Sequence, residues 1–380
     1  MQERRNFGGT QGVVRDQLQA GIAALKQGDS AGARDIFLAL IEANPSLAMA
    51  HVGLGRVALA EGEPQVALEH LQEALRLQPG FAPALVSSAA AREQLGEVED
   101  ALAEYEEALA QQPAMGRGYM RMARLLKKES REDEAVDVLR EAVQHSPQDA
   151  GLRLMLASAL GRAGATTESH AEYARAIDLK PEMWVAHYQL GRSFMKAGNA
   201  AAARDCLARA AAIAPDKAPV QRALAQAQAA LGDHGRAART YDEAHRLKPS
   251  SLRIAVQAAQ SKSEAGRHAE ALQMLLGLGR MSLRSGLVQK ALGDIYMAMD
   301  RPAEAVDSYR AMILNAAKLR ESAPEVVELA SGDTPADLRG FAQNLRAAIE
   351  TQSQAVAETI RANPKLLRDR LAARRERMAG

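Results

Sequence analysis

The sequence predicts an all-α protein in which helix pairs stack into a solenoid. Three observations support this prediction: few aromatic residues, a strict internal period, and turn residues at fixed places within that period. The chain has 380 residues, of which 47% are hydrophobic but only 3% aromatic. Its apolar side chains are therefore mostly those of Ala and Leu, which favour closely packed helices over bulky sheet cores.

A proline recurs at every 34th residue along most of the chain. Because proline lacks an amide hydrogen and has a fixed φ, each of these residues is expected to end a helix. Seven prolines share this spacing: Pro45, Pro79, Pro113, Pro147, Pro181, Pro215 and Pro249.

Each repeat has a second turn residue, seventeen positions before its proline. Six of the seven are glycine, which adopts positive φ without steric cost. Each repeat is therefore predicted to consist of a helix, a glycine turn, a second helix and a proline turn. The turn residues are Gly28, Gly62, Gly96, Ser130, Gly164, Gly198 and Gly232.

The second helix of each repeat combines small residues with one large side chain. The small residues, mostly alanine, stand twelve and five positions before the proline and allow two helices to approach closely. The large side chains stand eight positions before it and are expected to pack against the neighbouring helix. They are Phe37, Leu71, Tyr105, Leu139, Tyr173, Leu207 and Tyr241.

This pattern resembles the tetratricopeptide repeat (TPR) family, whose unit is a 34-residue helix-turn-helix. Seven repeats fit from about Val14 to Ser251, and two degenerate repeats without the final proline follow. The resemblance implies a right-handed superhelical solenoid, and we expect a helical cap at its C-terminal end because the exposed face of the last repeat must be covered. The resemblance also implies a concave surface, lined by the first helix of each repeat, that holds peptides or protein segments.

We expect three regions along the chain. Residues 1–13 are predicted to be a flexible N-terminus, residues 14–319 the TPR array, and residues 320–380 a helical cap with a basic tail. Gly277 and Gly279 interrupt the second helix of the eighth repeat. They mark either a hinge or a lengthened turn between repeats.

Residues 336–361 have the pattern of a long amphipathic helix. Thr334 is the expected N-cap, and Pro335 the first helical residue. The helix has two possible roles, covering the exposed face of the last repeat or self-association. Its apolar residues are Leu338, Phe341, Leu345, Ile349, Val356 and Ile360.

The last twenty residues carry seven basic and two acidic side chains. Such a run is typical of a solvated terminal helix, although peripheral contact with a membrane or an acidic partner is an alternative. The formal net charge of the whole chain is only +1, so we do not expect nucleic acid as a partner. A single cysteine and a start without an apolar segment indicate a cytoplasmic protein.

The sequence contains no motif of an enzyme, a metal site or a cofactor site. Ser193 and Lys196 have a formal S-x-x-K spacing, but they lie inside the first helix of a repeat without accompanying motifs. His51 and His187 occupy equivalent repeat positions, where repeat geometry explains them better than metal ligation. Cys206 adjoins a core position and is interpreted as a packed small residue. We therefore expect no catalytic activity, no metal and no cofactor.

The candidate binding residues are basic and lie on first helices. In the fourth repeat, spacings of three, four and seven residues place four cations on one helical face, which the resemblance makes concave. We expect the groove to hold an extended, acidic segment of a partner protein. The simpler alternative is a solvated basic helix balanced by acids on second helices. The candidates are Arg117, Arg121, Arg124 and Lys128, with Arg56, Arg162, Arg192, Lys196 and Arg222 on neighbouring first helices.

The leading functional interpretation is a non-catalytic scaffold or adaptor. Two alternatives remain open at this point. One is a regulatory or targeting subunit for an enzyme on another chain, such as a glycosyl- or sulfotransferase. The other is a structural protein that assembles with itself, since heterologous contacts that do not close build filaments.

Overall fold

The computed structural model describes residues 3–315, 324–332 and 334–362. All regular elements in these residues are helices, numbered here in chain order. The basic tail and the region around residue 320 lie outside the described residues. The helices are α1 (Glu3–Gln27), α2 (Ser30–Ala43), α3 (Ala48–Glu61), α4 (Pro64–Leu77), α5 (Ala82–Leu95), α6 (Val98–Gln111), α7 (Gly116–Lys128), α8 (Glu132–His145), α9 (Ala150–Arg162), α10 (Thr166–Leu179), α11 (Trp184–Lys196), α12 (Ala200–Ile213), α13 (Ala218–Ala230), α14 (His234–Leu247), α15 (Leu252–Glu264), α16 (His268–Leu276), α17 (Arg280–Leu283), α18 (Gly286–Ala298), α19 (Pro302–Asn315), α20 (Pro324–Ser331) and α21 (Leu338–Ala362).

The chain divides into two compact units, residues 1–193 and 194–380. Within each unit, helices pair with their neighbours along the chain, and successive pairs stack on one another. This arrangement confirms the all-α solenoid of stacked helix pairs. Helix α1 begins at Glu3, well before the predicted start of the array at Val14. The domain boundaries remain predictions.

The turn inside each helix pair has the backbone conformation that the glycine pattern predicts. The predicted glycines have φ between 78° and 89°. Ser130 and Asp300 occupy the same position of the period and are the non-glycine residues with positive φ in the described chain, at 64° and 57°. The 34-residue frame therefore dictates the turn even where glycine is missing, and it extends to the ninth helix pair.

The large residues of the second helices form the core, as predicted. All seven are at most 5% exposed, and Leu275 and Tyr309 continue the series in the eighth and ninth pairs with no exposure. Their side chains leave little room on the facing first helix. A Cβ on Gly55 would lie 2.7 Å from Leu71, and one on Gly293 would lie 2.4 Å from the ring of Tyr309. Small residues thus let the two helices of a pair meet.

In the proline turn between pairs, the carbonyl oxygen of the proline is bound by a side chain six residues further along the chain. His51 Nε2 lies 3.1 Å from the carbonyl oxygen of Pro45, and His187 Nε2 lies 3.0 Å from that of Pro181. Gln221 Nε2 donates to Pro215 in the same way, and Gln289 Nε2 donates to Leu283, which replaces the proline after the eighth pair. Both histidines therefore have a structural role set by repeat geometry.

The eighth pair departs from the period after its second helix begins. Helix α16 ends at Leu276, and its C-cap is Gly277. The four-residue helix α17 lies between α16 and α18, which begins at Gly286. The two glycines thus stand beyond a shortened helix rather than inside one, and the connection to the next pair is longer than elsewhere.

Helix α21 begins later than the sequence suggests. Its first residue is Leu338, and Asp337 is the capping residue, because its Oδ1 accepts a hydrogen bond from Gly340 N at 2.9 Å. Thr334 is not the N-cap; its hydroxyl instead lies 2.7 Å from Arg310 Nη1. A contact with α19 thus replaces the predicted capping role.

The predicted apolar face of α21 covers the end of the second unit. Leu345 and Ile349 are at most 1% exposed and pack in one cluster with Tyr309 and Ile313 of α19. Helix α20 adds Val326 and Ala330 to this cluster. This packing confirms the C-terminal helical cap. The side chains of Val356 and Ile360 lie outside the described part of the chain.

Candidate functional site

The candidate site is a cavity of about 590 Å³ in the first unit, lined mainly by first helices. Helix α3 contributes Arg56, and α7 contributes Arg117 and Arg121. We call it the basic cavity. Its full lining is Ile22, Leu25, Lys26, Phe37, Arg56, Leu59, Ala60, Val86, Ser87, Ala90, Glu93, Gln94, Arg117 and Arg121.

Arg56 is the most enclosed of the three arginines. Its Nε donates a hydrogen bond to the Ser87 hydroxyl at 3.1 Å, and that hydroxyl donates to the carbonyl oxygen of Pro83 at 2.8 Å. The Pro83 carbonyl thus orients Ser87, and Ser87 orients the guanidinium. Arg121 is also half-buried, whereas Arg117 is exposed.

The cavity concentrates positive charge: four cations, Lys26, Arg56, Arg117 and Arg121, line it together with one carboxylate, that of Glu93. Burial, reinforced by repulsion from Arg117 and Arg121, lowers the pKa of Arg56 to about 10. None of the three arginines forms an ion pair within the described residues. Since a pKa of about 10 leaves Arg56 protonated at neutral pH, the cavity holds three mutually repelling guanidinium groups.

An apolar wall faces these charges. Ile22 and Leu25 come from α1, Leu59 from α3 and Val86 from α5. Helix α1 therefore takes part in the site, although the sequence pattern of the first helices pointed to α7. The cavity can accept an anionic group and an apolar side chain at the same time.

A buried tyrosine lies next to the cavity. Tyr105 of α6 is fully buried, which raises its pKa to about 12, while the guanidinium of Arg121 opposes the shift. Its hydroxyl has no hydrogen-bond acceptor in the described structure. Arginine only donates hydrogen bonds, so Arg121 cannot accept the phenolic hydrogen.

The remaining predicted site residues do not line the basic cavity. Arg124 and Lys128 are exposed on α7. Arg162 lies 3.9 Å from Glu132 and donates to Ser158 at 3.1 Å, so its charge is partly used within the protein. Arg192 lies over the ring of Tyr188, at 5.6 Å from its centroid.

The second unit contains the last two predicted cations. Lys196 is exposed near the start of that unit, and Arg222 is half-buried on α13 near Tyr241. Neither residue belongs to the basic cavity, which lies within the first unit.

Sequence reasoning missed Lys26, Ser87 and Gln94 of the cavity lining. The period did contain a signal for two of them, because Lys26 and Gln94 stand a whole number of 34-residue periods before Lys128. Ser87 occupies the position of Arg121 one repeat earlier. Aligning every first helix with α7 therefore brings these residues into the site.

The other residues that the sequence singled out have structural roles. Ser193 Oγ lies 2.8 Å from His170 Nε2, and Cys206 is a half-buried free thiol whose pKa burial raises. In the described part of the chain, no three His, Cys, Asp or Glu side chains form a group that can hold a metal ion. None of the described helices combines the length and apolarity needed to cross a membrane.

Comparison with known structures supports the fold. The C-terminal part of a TPR repeat-containing protein from Cytophaga hutchinsonii is similar over 63% of this chain and 98% of its own, with 11% identity and a TM-score of 0.51. PilF of Pseudomonas aeruginosa covers 57% of this chain and 97% of its own, with 21% identity and a TM-score of 0.46.

A tetratricopeptide repeat protein from Parabacteroides merdae covers 66% of this chain and 99% of its own, with 14% identity and a TM-score of 0.45. At such low identities these likenesses concern the fold alone. No curated protein matches the sequence significantly.

Family models provide the assignment. One model described as tetratricopeptide repeat matches residues 18–80 and 88–150, and a second with the same description matches residues 162–227. Together the matched residues span half of the chain, and the stacked helix pairs have the period of this repeat. The chain therefore belongs to the tetratricopeptide repeat family.

Proposed function

We propose that this protein is a non-catalytic scaffold that holds an extended, acidic segment of a partner protein against the basic cavity. TPR proteins mediate protein–protein interactions and bind proteins or peptides. The observation that carries the more specific proposal is the convergence of Arg56, Arg117 and Arg121, without carboxylate partners, on one cavity.

The neighbouring acids favour this proposal over a solvated helix balanced from the second helices. Glu99 and Glu134 pair with Arg131, at 2.8 Å and 2.6 Å. Glu104 pairs with Arg92 at 2.8 Å. The acidic side chains of α6 and α8 thus form ion pairs with Arg92 and Arg131, which lie outside the cavity lining. The arginines of α7 therefore remain able to bind an acidic ligand.

The cavity also suits an extended segment in shape and chemistry. Arginine binds carboxylates through charge-assisted, often bidentate hydrogen bonds, which are stronger than hydrogen bonds between neutral groups. The apolar wall of Ile22, Leu25, Leu59 and Val86 can receive an apolar side chain next to an acidic one. Alternating pockets of this kind give specificity to bound peptides.

The test is a charge reversal on α7. A fluorescein-labelled, aspartate-rich peptide serves as the probe, with fluorescence anisotropy as the measurement. Replacing Arg117→Glu and Arg121→Glu together is expected to weaken binding by at least about 2 kcal/mol, the cost of disrupting close interfacial charge pairs. Circular dichroism should show unchanged helicity, because Arg117 is exposed and Arg121 half-buried.

A matched control changes the net charge equally at a distance from the cavity. Arg76→Glu with Lys180→Glu alters two exposed residues outside its lining, and binding should stay close to that of the wild type. Binding that survives the reversal on α7 and does not respond to salt would place the site elsewhere.

A further inference from the structure

The ninth helix pair contains a half-buried carboxylate, that of Asp294, between a tyrosine and an arginine. The hydroxyl of Tyr309 donates to Asp294 Oδ1 at 2.7 Å, and Arg346 Nε lies 3.3 Å from the same oxygen. Tyr309 is fully buried on α19, and Arg346 comes from α21, which packs against α19. The carboxylate of Asp294 thus accepts the hydrogen bond of the phenol and pairs with the guanidinium.

The third pair has the same tyrosine and an arginine close to it, but no carboxylate at the position of Asp294. Its nearest acid, Glu93, raises the pKa of Tyr105 without bonding to the hydroxyl. Tyr105 and Tyr309 are 204 residues apart, six periods of 34, and so are Ala90 and Asp294. Arg121 reaches Tyr105 from α7, the next helix to pack on α6, as Arg346 reaches Tyr309 from α21. Where the ninth pair has Asp294, the third pair has the methyl group of Ala90.

Two further tyrosines occupy this position of the period, and in both repeats a polar residue stands where the third pair has Ala90. Ser158 stands fifteen residues before Tyr173 and is a hydrogen-bond partner of its hydroxyl. Gln226 stands fifteen residues before Tyr241. Tyr105 differs from both because alanine cannot accept its hydrogen bond, and its hydroxyl has no acceptor in the described structure.

The space that a carboxylate would need belongs to the basic cavity. Ala90 and Arg121 both line it, with Arg56 nearby. Leaving a buried hydroxyl without an acceptor is unfavourable, so a ligand that supplies an acceptor gains free energy in addition to its ion pair. Arg121 is half-buried, and the rotatable bonds of an arginine side chain allow its guanidinium to turn and pair with an incoming carboxylate.

We propose that an aspartate or glutamate of the partner segment places its carboxylate above Ala90, where the ninth pair has the carboxylate of Asp294. There it accepts hydrogen bonds from the hydroxyl of Tyr105 and the guanidinium of Arg121. This inference rests on the proposed function, because it identifies the anchoring subsite for the acidic segment within the basic cavity.

The test fills the subsite from within. Ala90→Asp supplies the carboxylate internally, as Asp294 does, whereas Ala90→Asn has nearly the same shape without the charge. With the labelled aspartate-rich peptide as the probe, Ala90→Asp should bind about tenfold more weakly than Ala90→Asn. Circular dichroism and thermal unfolding of both variants verify that they fold.

A second variant tests the same inference if the Ala90→Asp protein does not fold. Tyr105→Phe removes only the hydroxyl and preserves the packed ring, so it should weaken peptide binding several-fold without lowering the melting temperature. Tyr173→Phe is the matched control, because Tyr173 already has Ser158 as a partner; its peptide affinity should not change.

Three outcomes separate this inference from the proposed function. Equal binding by the two Ala90 variants, or unchanged binding by Tyr105→Phe, overturns the subsite. If the reversal of Arg117 and Arg121 still abolishes binding in that case, the scaffold proposal stands without the subsite. A wild-type protein that does not bind the acidic peptide overturns both.

Discussion

Gly53 lies directly against the ring of Phe37, so that a Cβ on Gly53 would stand 2.5 Å from two of the ring carbons. Phe37 is the large residue of the first helix pair and is 1% exposed, so the ring has little space in which to move. The packing of α2 on α3 therefore depends on one missing methyl group.

The first prediction is that Gly53→Ala destabilises the protein, although alanine is the better helix former. Overpacking typically costs about 1–3 kcal/mol, which exceeds the gain of about 1 kcal/mol in helix propensity. Urea unfolding measures the free energy of unfolding of each variant. The control is Gly235→Ala, because a Cβ there meets no atom within 4 Å; that variant should be as stable as the wild type or more so. A stabilised Gly53→Ala would show that α2 and α3 are farther apart.

The second prediction concerns Ser130, which has a φ of 64° at a turn position that is glycine in seven of the other pairs and Asp300 in the ninth. Positive φ is unfavourable for residues with a Cβ, so Ser130→Gly should raise the free energy of unfolding by about 0.5 kcal/mol. Gly164→Ser makes the reverse change at the equivalent turn, where φ is 89°, and should lower it. Thermal unfolding measures both variants, and shifts of the same sign would contradict the prediction.

The repeat frame could be predicted from the sequence because it is over-determined. Six glycines and seven prolines define the period, so the positive φ of Ser130 follows from its place in the period rather than from its residue type. Asp300 extends the same argument to a pair that lacks the proline. The start of α21 was predicted wrongly because the hydroxyl of Thr334 bonds to Arg310, a residue of α19 that local sequence does not reveal.

The candidate site could be predicted only in part. The basic face of α7 follows from helical spacing, but which cations remain unpaired depends on contacts between helices. Arg162 has the same place in its repeat as Lys128, yet Glu132 of α8 lies 3.9 Å from it. The role inferred for Tyr105 depends on comparing Ala90 with Asp294, and that comparison needs the contacts of Asp294 in the structure.

The third prediction concerns the cap. Leu345 of α21 is fully buried in a cluster with Tyr309 and Phe341. Leu345→Ala should lower the free energy of unfolding by about 2–4 kcal/mol, as expected for a buried leucine. Because coupling in a solenoid is between neighbours, limited proteolysis should begin in the second unit, near the cap. Asn344→Ala changes the exposed neighbour and should leave the cleavage pattern unaltered.

Self-association through residues 336–361 predicts a different result for the same variant. If this helix served mainly to join two copies, Leu345→Ala would convert a dimer to a monomer while the proteolysis pattern and helicity stayed the same. Size-exclusion chromatography with light scattering distinguishes the two outcomes. The burial of Leu345 and Ile349 within one chain favours the capping role.

The fourth prediction is that Arg56 favours binding at the expense of stability. Burial and the neighbouring arginines lower the pKa of Arg56 to about 10, well below that of a free guanidinium. The folded state therefore disfavours the charge. This cost applies in full at neutral pH, begins to shrink as the pH rises above about 10, and is lost only above the ordinary pKa of a free guanidinium. Arg56→Met keeps much of the side-chain length without the charge. This substitution should raise the free energy of unfolding at neutral pH by about 1 kcal/mol. Each unit by which the pKa is lowered corresponds to about 1.4 kcal/mol of lost stability, which the substitution recovers. The loss of the hydrogen bond from Arg56 to Ser87 offsets part of this gain.

The same substitution should weaken binding of the aspartate-rich peptide, because a ligand carboxylate relieves the repulsion among the three arginines. Arg124→Met is the matched control: Arg124 occupies the same place in its repeat as Arg56 but is exposed, so its stability should change by less than about 0.5 kcal/mol. Urea unfolding at neutral pH and at a pH above 10 tests the sign, since the stability gain of Arg56→Met over the wild type should shrink at the higher pH. An Arg56→Met variant that is less stable than the wild type at neutral pH would mean that Arg56 serves the fold rather than a ligand.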